Sequence, residues 1–182
     1  MRVAVYSGSF NPLHKGHLAI IRHLTEKDGF DVVYLIVSPQ SPFKDASNNL
    51  SAQDRVEAAR MTVSKYSGLK VLVDDIELRM PPPQYTIRTL DALREREPEN
   101  EFTLVVGADN LESFPCWRDY ARILTEYGLA VFPRKGYHRG WLKARLLKEN
   151  PSYRIELLKA PVIDISSTEI RQGLKSAEKW KA

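Results

Sequence analysis

Six short apolar runs punctuate the chain, and between them the apolar positions change period. The runs are RVAVYS (2–7), DVVYLIVS (31–38), LKVLVDD (69–75), FTLVVG (102–107), LAVFP (129–133) and YRIELL (153–158). Each is rich in Val, Ile, Leu or aromatic residues and ends near Gly, Pro or a charged residue, the signature of a strand buried on both faces. Between them Leu18, Ile21 and Leu24 recur at helical spacing, as do Ile87, Leu90 and Leu93, and then Tyr120, Ile123, Leu124 and Tyr127. Ser51 with Asp54 reads as a capping box opening a helix to about Tyr66, a basic helical piece covers 138–149, and Ser166 opens a last helix. MPPPQY (80–85) fits neither a helix nor a central strand. Strictly alternating strands and helices predict an α/β fold: a Rossmann-like, doubly wound, mainly parallel sheet of five to six strands with helices on both faces. We expect a single domain over 1–182, with a polar tail from about 175.

In such sheets ligands sit outside the carboxyl ends of the strands. The informative stretches are therefore 8–17, 38–44, 107–110, 133–135 and 164–171. The first of these, GSFNPLHKGH, has the Gly, Ser, Asn and Pro of a turn, but a turn needs no histidines. A helix start after the first strand favours anions through its free N–H groups and its dipole. Gly8 and Ser9 allow close backbone approach, His14 and His17 are three apart, and Gly16 between them removes a side chain. Two imidazoles there suit the growing charge of phosphoryl transfer. Spacing alone leaves this reading level with an ordinary helix start, and a metal pair fits less well because no His-Glu-x-x-His pattern accompanies it. Near the other end, ISSTEIR (165–171) holds a capping box at Ser166 and Glu169, and Arg171 stands beyond it. Two hydroxyls and a guanidinium at one helix end would make a second anion clamp.

Composition changes this picture little. Hydrophobic residues make up 43% and charged residues 27%, and the net charge of +4 suits anionic ligands without arguing for nucleic acid. The lone Cys116 excludes an internal disulfide and suits a reducing compartment. With no apolar run long enough to span a bilayer and no signal-like start, we expect a cytoplasmic protein.

GSFNPLHKGH resembles the G-x-F-x-P-x-H-x-G-H signature of the nucleotidylyltransferase superfamily, and ISSTEIR resembles its I-S-S-T-x-[IL]-R signature. Further stretches are similar to those of bacterial nicotinate-nucleotide adenylyltransferases: YTIRTLDAL (85–93), VVGADNLESFPCWRDY (105–120), SPFKD (41–45) and FPRKGY (132–137). The resemblance implies adenylyl transfer from ATP to nicotinate mononucleotide, giving deamido-NAD and pyrophosphate. Siblings using nicotinamide mononucleotide or phosphopantetheine remain open, as does a non-enzymatic nucleotide-binding protein. His14, usually Thr in the phosphopantetheine enzymes, argues against that sibling.

It further implies that His14 and His17 hold the triphosphate and its developing charge. Lys44 neutralises phosphate oxygens. Ser167, Thr168 and Arg171 take the leaving pyrophosphate. Gly8, Ser9, Phe10, Gly16, Gly107, Asp109 and Ile165 line the ATP site. Asn11, Thr86 (through its backbone N–H), Trp117 and Arg134 serve the acceptor, and Mg²⁺ arrives on ATP. Taken without the resemblance, Trp117 reads first as a core anchor, Asp109 can simply cap a helix, and Lys44 and Arg134 are solvated charges. Lys135, Arg139, Lys143, Arg145 and Lys148 read as a solvated face. The polar loop 39–50 is a candidate lid. Two departures stand out: Asn11 replaces the commoner Asp, and Arg88 stands where the family usually has Asp.

Overall fold

A computed structural model describes residues 1–39, 51–173 and 175–182. Its centre is a six-stranded sheet in the order β3-β2-β1-β4-β5-β6. The strands are β1 (Arg2–Gly8), β2 (Val32–Val37), β3 (Val71–Asp74), β4 (Glu101–Gly107), β5 (Leu129–Phe132) and β6 (Ile155–Leu157). Every neighbouring pair is parallel, with Val3 opposite Val32 and Val5 opposite both Tyr34 and Leu104. β1 and β2 are almost wholly buried, which is why their sequences run apolar without alternating.

The helices are α1 (Lys15–Glu26), α2 (Ala52–Ser64), α3 (Thr86–Arg96), α4 (Ala108–Ser113), α5 (Tyr120–Arg122), α6 (Arg139–Glu149) and α7 (Ser167–Arg171). α5 continues as a π-helical stretch, Ile123–Tyr127, a change of pitch within the single helix expected there. Two apolar clusters sandwich the sheet. On one face Leu18, Ile20, Ile21 and Leu24 of α1 pack with Val56 and Ala59 of α2 and Ile170 of α7. On the other lie Ile87, Leu90 and Leu93 of α3, Ala108 and Leu111 of α4, and Leu142 and Leu146 of α6. The fully buried leucines and isoleucines are each worth about 1.5–3 kcal/mol of burial, and they fix α1 and α3 against opposite faces of the sheet.

The strand order reverses between β1 and β4, and this is where a doubly wound sheet opens a crevice at its carboxyl ends. Gly8 and Gly107 end those two strands. Two expectations change. The segment read as a polar tail forms a 3₁₀ helix, Lys175–Trp180, with Trp180 and Ala182 packed against the first cluster and Lys181 bridged to His14. Trp180 supplies the apolar surface that a merely polar tail would lack. Arg139 is no solvated charge: its Nη1 donates to Val131 O at 2.8 Å and Leu158 O at 2.6 Å, tying the ends of β5 and β6.

Candidate active site

The crevice has two lobes. One, of about 250 Å³, is lined by Ser9, Phe10, His14, Gly16, His17, Asp109, Arg134, Ile165 and Ser167 among others. The other, of about 270 Å³, includes Ser38, Glu77, Gln84, Thr86, Gly107 and Trp117. Tyr6, Ser7, Gly8, Asn110 and Phe132 line both, so the lobes share a wall.

The two histidines occupy the first lobe, but not as adjacent turns of one helix. His14 is extended and forms the N-cap of α1. Its Nδ1 accepts from Gly16 N at 3.0 Å and His17 N at 3.4 Å, while His17 Nδ1 accepts from His14 N at 3.1 Å. This is a capping box made of two imidazoles, and the rings stack at 3.6 Å. A ring nitrogen that accepts from an amide carries no proton, so each neutral ring keeps its proton on Nε2. Burial lowers the His14 pKa to about 4, with the nearby Arg134 charge adding to it. Burial first, then His14 and Arg134, push His17 well below the ordinary value too. Both rings are neutral donors near neutral pH. The helix N–H groups of Gly16 and His17, expected to face an anion, are taken by His14. Gly16 is required for the same reason: a Cβ there would collide with the His14 ring and Ile163.

The loop ahead of them is strained. Phe10 has φ of +46°, a left-handed backbone that costs a bulky residue energy, and its buried ring meets His17 and Tyr6 edge-on at 5.0 and 5.5 Å. The second signature reaches this loop. Ser167 Oγ donates to Pro12 O at 2.8 Å; Arg171 Nη1 donates to Asn11 O and its Nη2 to Thr168 Oγ1 at 3.1 Å. Ser166 and Glu169 form the expected capping box. Thr168 and Arg171 stand exposed at the rim, outside the lining of the lobe. Arg171 is the last residue of α7, and its side chain, not its place at the helix start, brings it to Thr168 and to the loop that Ser167 also holds.

Gly107 caps α4 and leaves Asp109 in its first turn, where Asp109 makes no side-chain cap. Asp109 Oδ1 faces Arg134 Nε at 3.9 Å, and Arg134 Nη1 donates to Ile163 O at 3.1 Å. A side chain on Gly107 would strike Asp109.

In the second lobe Thr86 is the first residue of α3, whose N-cap, Tyr85, gives no side-chain cap. Trp117 is half-buried, its ring 4.8 Å from Phe114, so it is neither a full core anchor nor free. Arg88 Nη1 donates to Pro81 O at 3.1 Å and Pro83 O at 2.5 Å, bracing the loop that leads to Thr86. Sequence reasoning did not single out Glu77. It is buried, takes hydrogen bonds from Ser38 Oγ at 3.0 Å and Thr89 Oγ1 at 3.2 Å, and has its pKa raised by burial. Lys44 and the loop expected as a lid lie, save for Pro39, outside the described residues. Among the described residues no group of three or more His, Cys, Asp or Glu is placed to hold a metal, and no helix is long and apolar enough to cross a membrane.

Residues 5–173 match the family model described as Cytidylyltransferase-like, and the chain belongs to that family of nucleotidyltransferases. Its relatives narrow the class to the nicotinate-nucleotide adenylyltransferases. The chain is 35% identical over 98% of its length to a probable nicotinate-nucleotide adenylyltransferase of Flavobacterium johnsoniae, covering 89% of that protein. It is 37% identical over 96% of its length to the same kind of protein from Porphyromonas gingivalis, covering 84% of it. The fold is shared with the Plasmodium falciparum nicotinic acid mononucleotide adenylyltransferase solved in complex with NaAD: TM-score 0.72, 17% identity, covering 94% of this chain and 82% of that one.

Proposed function

We propose that this chain transfers the adenylyl group of ATP to nicotinate mononucleotide, releasing pyrophosphate and forming deamido-NAD. The observation that carries the reading is the pair of stacked, neutral imidazoles whose Nε2–H groups are left to donate in a crevice with a second, adjoining lobe. The full-length relatives of that name support the choice of acceptor.

In this reading a phosphate oxygen of the acceptor attacks the α-phosphorus of ATP. A P–O bond forms there, the bond to the β-phosphate oxygen breaks, and pyrophosphate leaves. No covalent enzyme intermediate is needed, so positioning and charge stabilisation do the work. His14 and His17 donate to phosphate oxygens as charge grows on them. Lys44 adds a cation, and Arg171, Thr168 and Ser167 hold the pyrophosphate side from the rim. Gly8, Ser9, Phe10, Gly16, Gly107, Asp109 and Ile165 wall the nucleotide, with Mg²⁺ arriving on ATP as part of the substrate. Arg134, which lines the first lobe, and Asn11 serve the acceptor's phosphate end. The uncapped start of α3 offers the N–H of Thr86 to the nicotinate carboxylate, and Trp117 offers a face to the pyridine ring. Burial of Glu77 favours its neutral form and so weakens its repulsion of that carboxylate. The cytoplasm, which supplies ATP, suits this reaction.

The test is pyrophosphate release from ATP and Mg²⁺ with nicotinate mononucleotide, nicotinamide mononucleotide and phosphopantetheine in parallel. We expect strong preference for the first. Release with another acceptor keeps the chemistry and overturns the acceptor; silence with all three, from folded protein that binds ATP, overturns the enzyme reading.

A further inference from the structure

Arg55, on α2, is only 2% exposed, and α2 presents it to the core beside Val56 and Ala59. Arginines are rarely buried so completely unless a carboxylate pairs with them. Arg55 has no such partner among the described residues. Its Nη1 donates to two carbonyls, Ser9 O at 2.7 Å and Ser38 O at 2.8 Å, and its buried Nη2 has no partner. The two carbonyls lie on the two lobes: Ser9 lines the first and Ser38 the second. Ser9 directly precedes the strained Phe10, and a strained turn persists only where its surroundings over-determine it. Ser38 is held at its other polar atoms too, by Gly8 O, by Glu77 and by Ser7 Oγ.

We propose that Arg55 is a positioning residue for adenylyl transfer: it pins the Ser9 and Ser38 carbonyls beneath the two lobes, and its buried charge is balanced by the phosphates of the bound substrates. The inference rests on the nucleotide-binding reading above. Two hydrogen bonds to carbonyls satisfy geometry but do not neutralise a guanidinium. Anionic substrates a few ångströms beyond Ser9 would do so, in a setting where water screens little. Binding and catalysis then depend on the same buried cation, though it touches no substrate atom.

Two variants separate this from a merely structural role. Arg55→Met keeps the bulk and removes the charge. Arg55→Lys keeps the charge but replaces the planar guanidinium, whose Nη1 donates to both carbonyls, with a shorter, rotatable ammonium. Each is scored by kcat and KM and by the thermal-midpoint shift that a non-hydrolysable ATP analogue produces at low and high salt. In Arg55→Met we expect kcat to fall on the order of tenfold to a hundredfold, as for a site displaced by about an ångström. The analogue's midpoint shift should shrink to roughly half or less. Arg55→Lys should recover most of the shift and little of the kcat. A folded Arg55→Met with wild-type kcat and midpoint shift overturns the proposal. Should Arg55→Met not fold, Arg55→Lys decides: wild-type kcat overturns the proposal, and reduced kcat with a retained shift upholds it. The analogue shift needs no turnover, so a wild-type chain that binds the analogue but transfers to no acceptor would sink the enzyme reading and leave the Arg55 binding result standing.

Discussion

At the first lobe the start of α1 is closed by its own side chains, since His14 and His17 take up the amides of Gly16, His17 and His14 itself. At the second lobe the start of α3 has no side-chain cap, and Arg88 in its own first turn reaches back to brace the loop before it. The same feature, a helix N-terminus beside the sheet's carboxyl edge, is thus prepared for anions in two ways. In α1 the helix amides orient the imidazoles, and the far ring nitrogens present the hydrogen-bond donors. In α3 the amides themselves are left to meet the ligand. The first arrangement is rigid and suits a transition state, where a donor must be in place before charge develops. The second suits recognition of a ground-state anion, the role proposed for it toward the acceptor carboxylate.

The comparison breaks most sharply at His17. His17→Ala removes one preorganised donor and the return half of the capping box. Losing such a donor costs on the order of a hundredfold or more in kcat, whereas losing half a cap costs about 1 kcal/mol of stability. Turnover should therefore collapse in a protein whose thermal midpoint falls by only a few degrees. Steady-state kinetics beside thermal unfolding checks this; near-normal kcat in the folded variant would remove the imidazole pair from the chemistry.

At the second lobe the corresponding change is milder and falls on one substrate. Trp117→Ala should raise the acceptor KM by about tenfold, the scale of losing aromatic stacking, and leave the KM of ATP within about twofold. Equal effects on both substrates would make Trp117 a packing residue shared by the lobes.

Most of this architecture can be read along the chain, and what cannot shares one physical cause. The alternation of apolar runs with helical spacing predicts the parallel sheet, and the loops Gly8–His17 and Ser166–Arg171 announce their turns and caps. What the pattern hides is arginine working as a buried strut. Arg55 gathers carbonyls from the segments leaving β1 and β2, and Arg139 does the same at the ends of β5 and β6. Carbonyls at the ends of parallel strands keep acceptor capacity, and one Nη1 of a long arginine on the following helix reaches two of them. Hydropathy reads both residues as surface charge. The role of Gly16 is hidden likewise: its missing side chain makes room for His14 and Ile163, which no spacing rule reports.

The neutral state of the imidazoles sharpens the comparison through pH. Burial has moved His14 from the ordinary value of 6.5 to about 4, so the fold disfavours its proton. Its contribution is fully present above about pH 6.5 and is lost as pH falls toward 4, because the unfolded chain takes up the proton first. At pH 5.5 the loss is about 1 kcal/mol, or roughly 2–4 °C in thermal midpoint for a chain of this size. His14→Asn keeps a side-chain oxygen able to cap α1 but carries no titrating ring. Its thermal midpoint should decline less between pH 7.5 and 5.5 than that of the wild type. Parallel slopes would mean that the cap, with or without an imidazole, bears no pH-dependent strain.

The smallest expected effect tests the brace between α3 and the loop before it. Arg88 stands where the family resemblance leads one to expect Asp, and a donor at this position has a local reason. Pro81, Pro82 and Pro83 have no N–H to offer a carboxylate, but their carbonyls can receive a donor, and Arg88 reaches those of Pro81 and Pro83. A carbonyl-only loop requires a donor as its brace. Arg88→Ala loses two partly exposed hydrogen bonds, together about 1 kcal/mol. Spent on a loop that only positions Thr86, that loss should raise the acceptor KM about threefold to fivefold and leave kcat and the KM of ATP nearly unchanged. Arg88→Asp, introducing the residue the resemblance leads one to expect, should do no better than alanine, since residues 81–83 give it nothing to accept from. Recovery of the wild-type acceptor KM by aspartate would show that position 88 acts by its charge on the ligand and not through the proline loop.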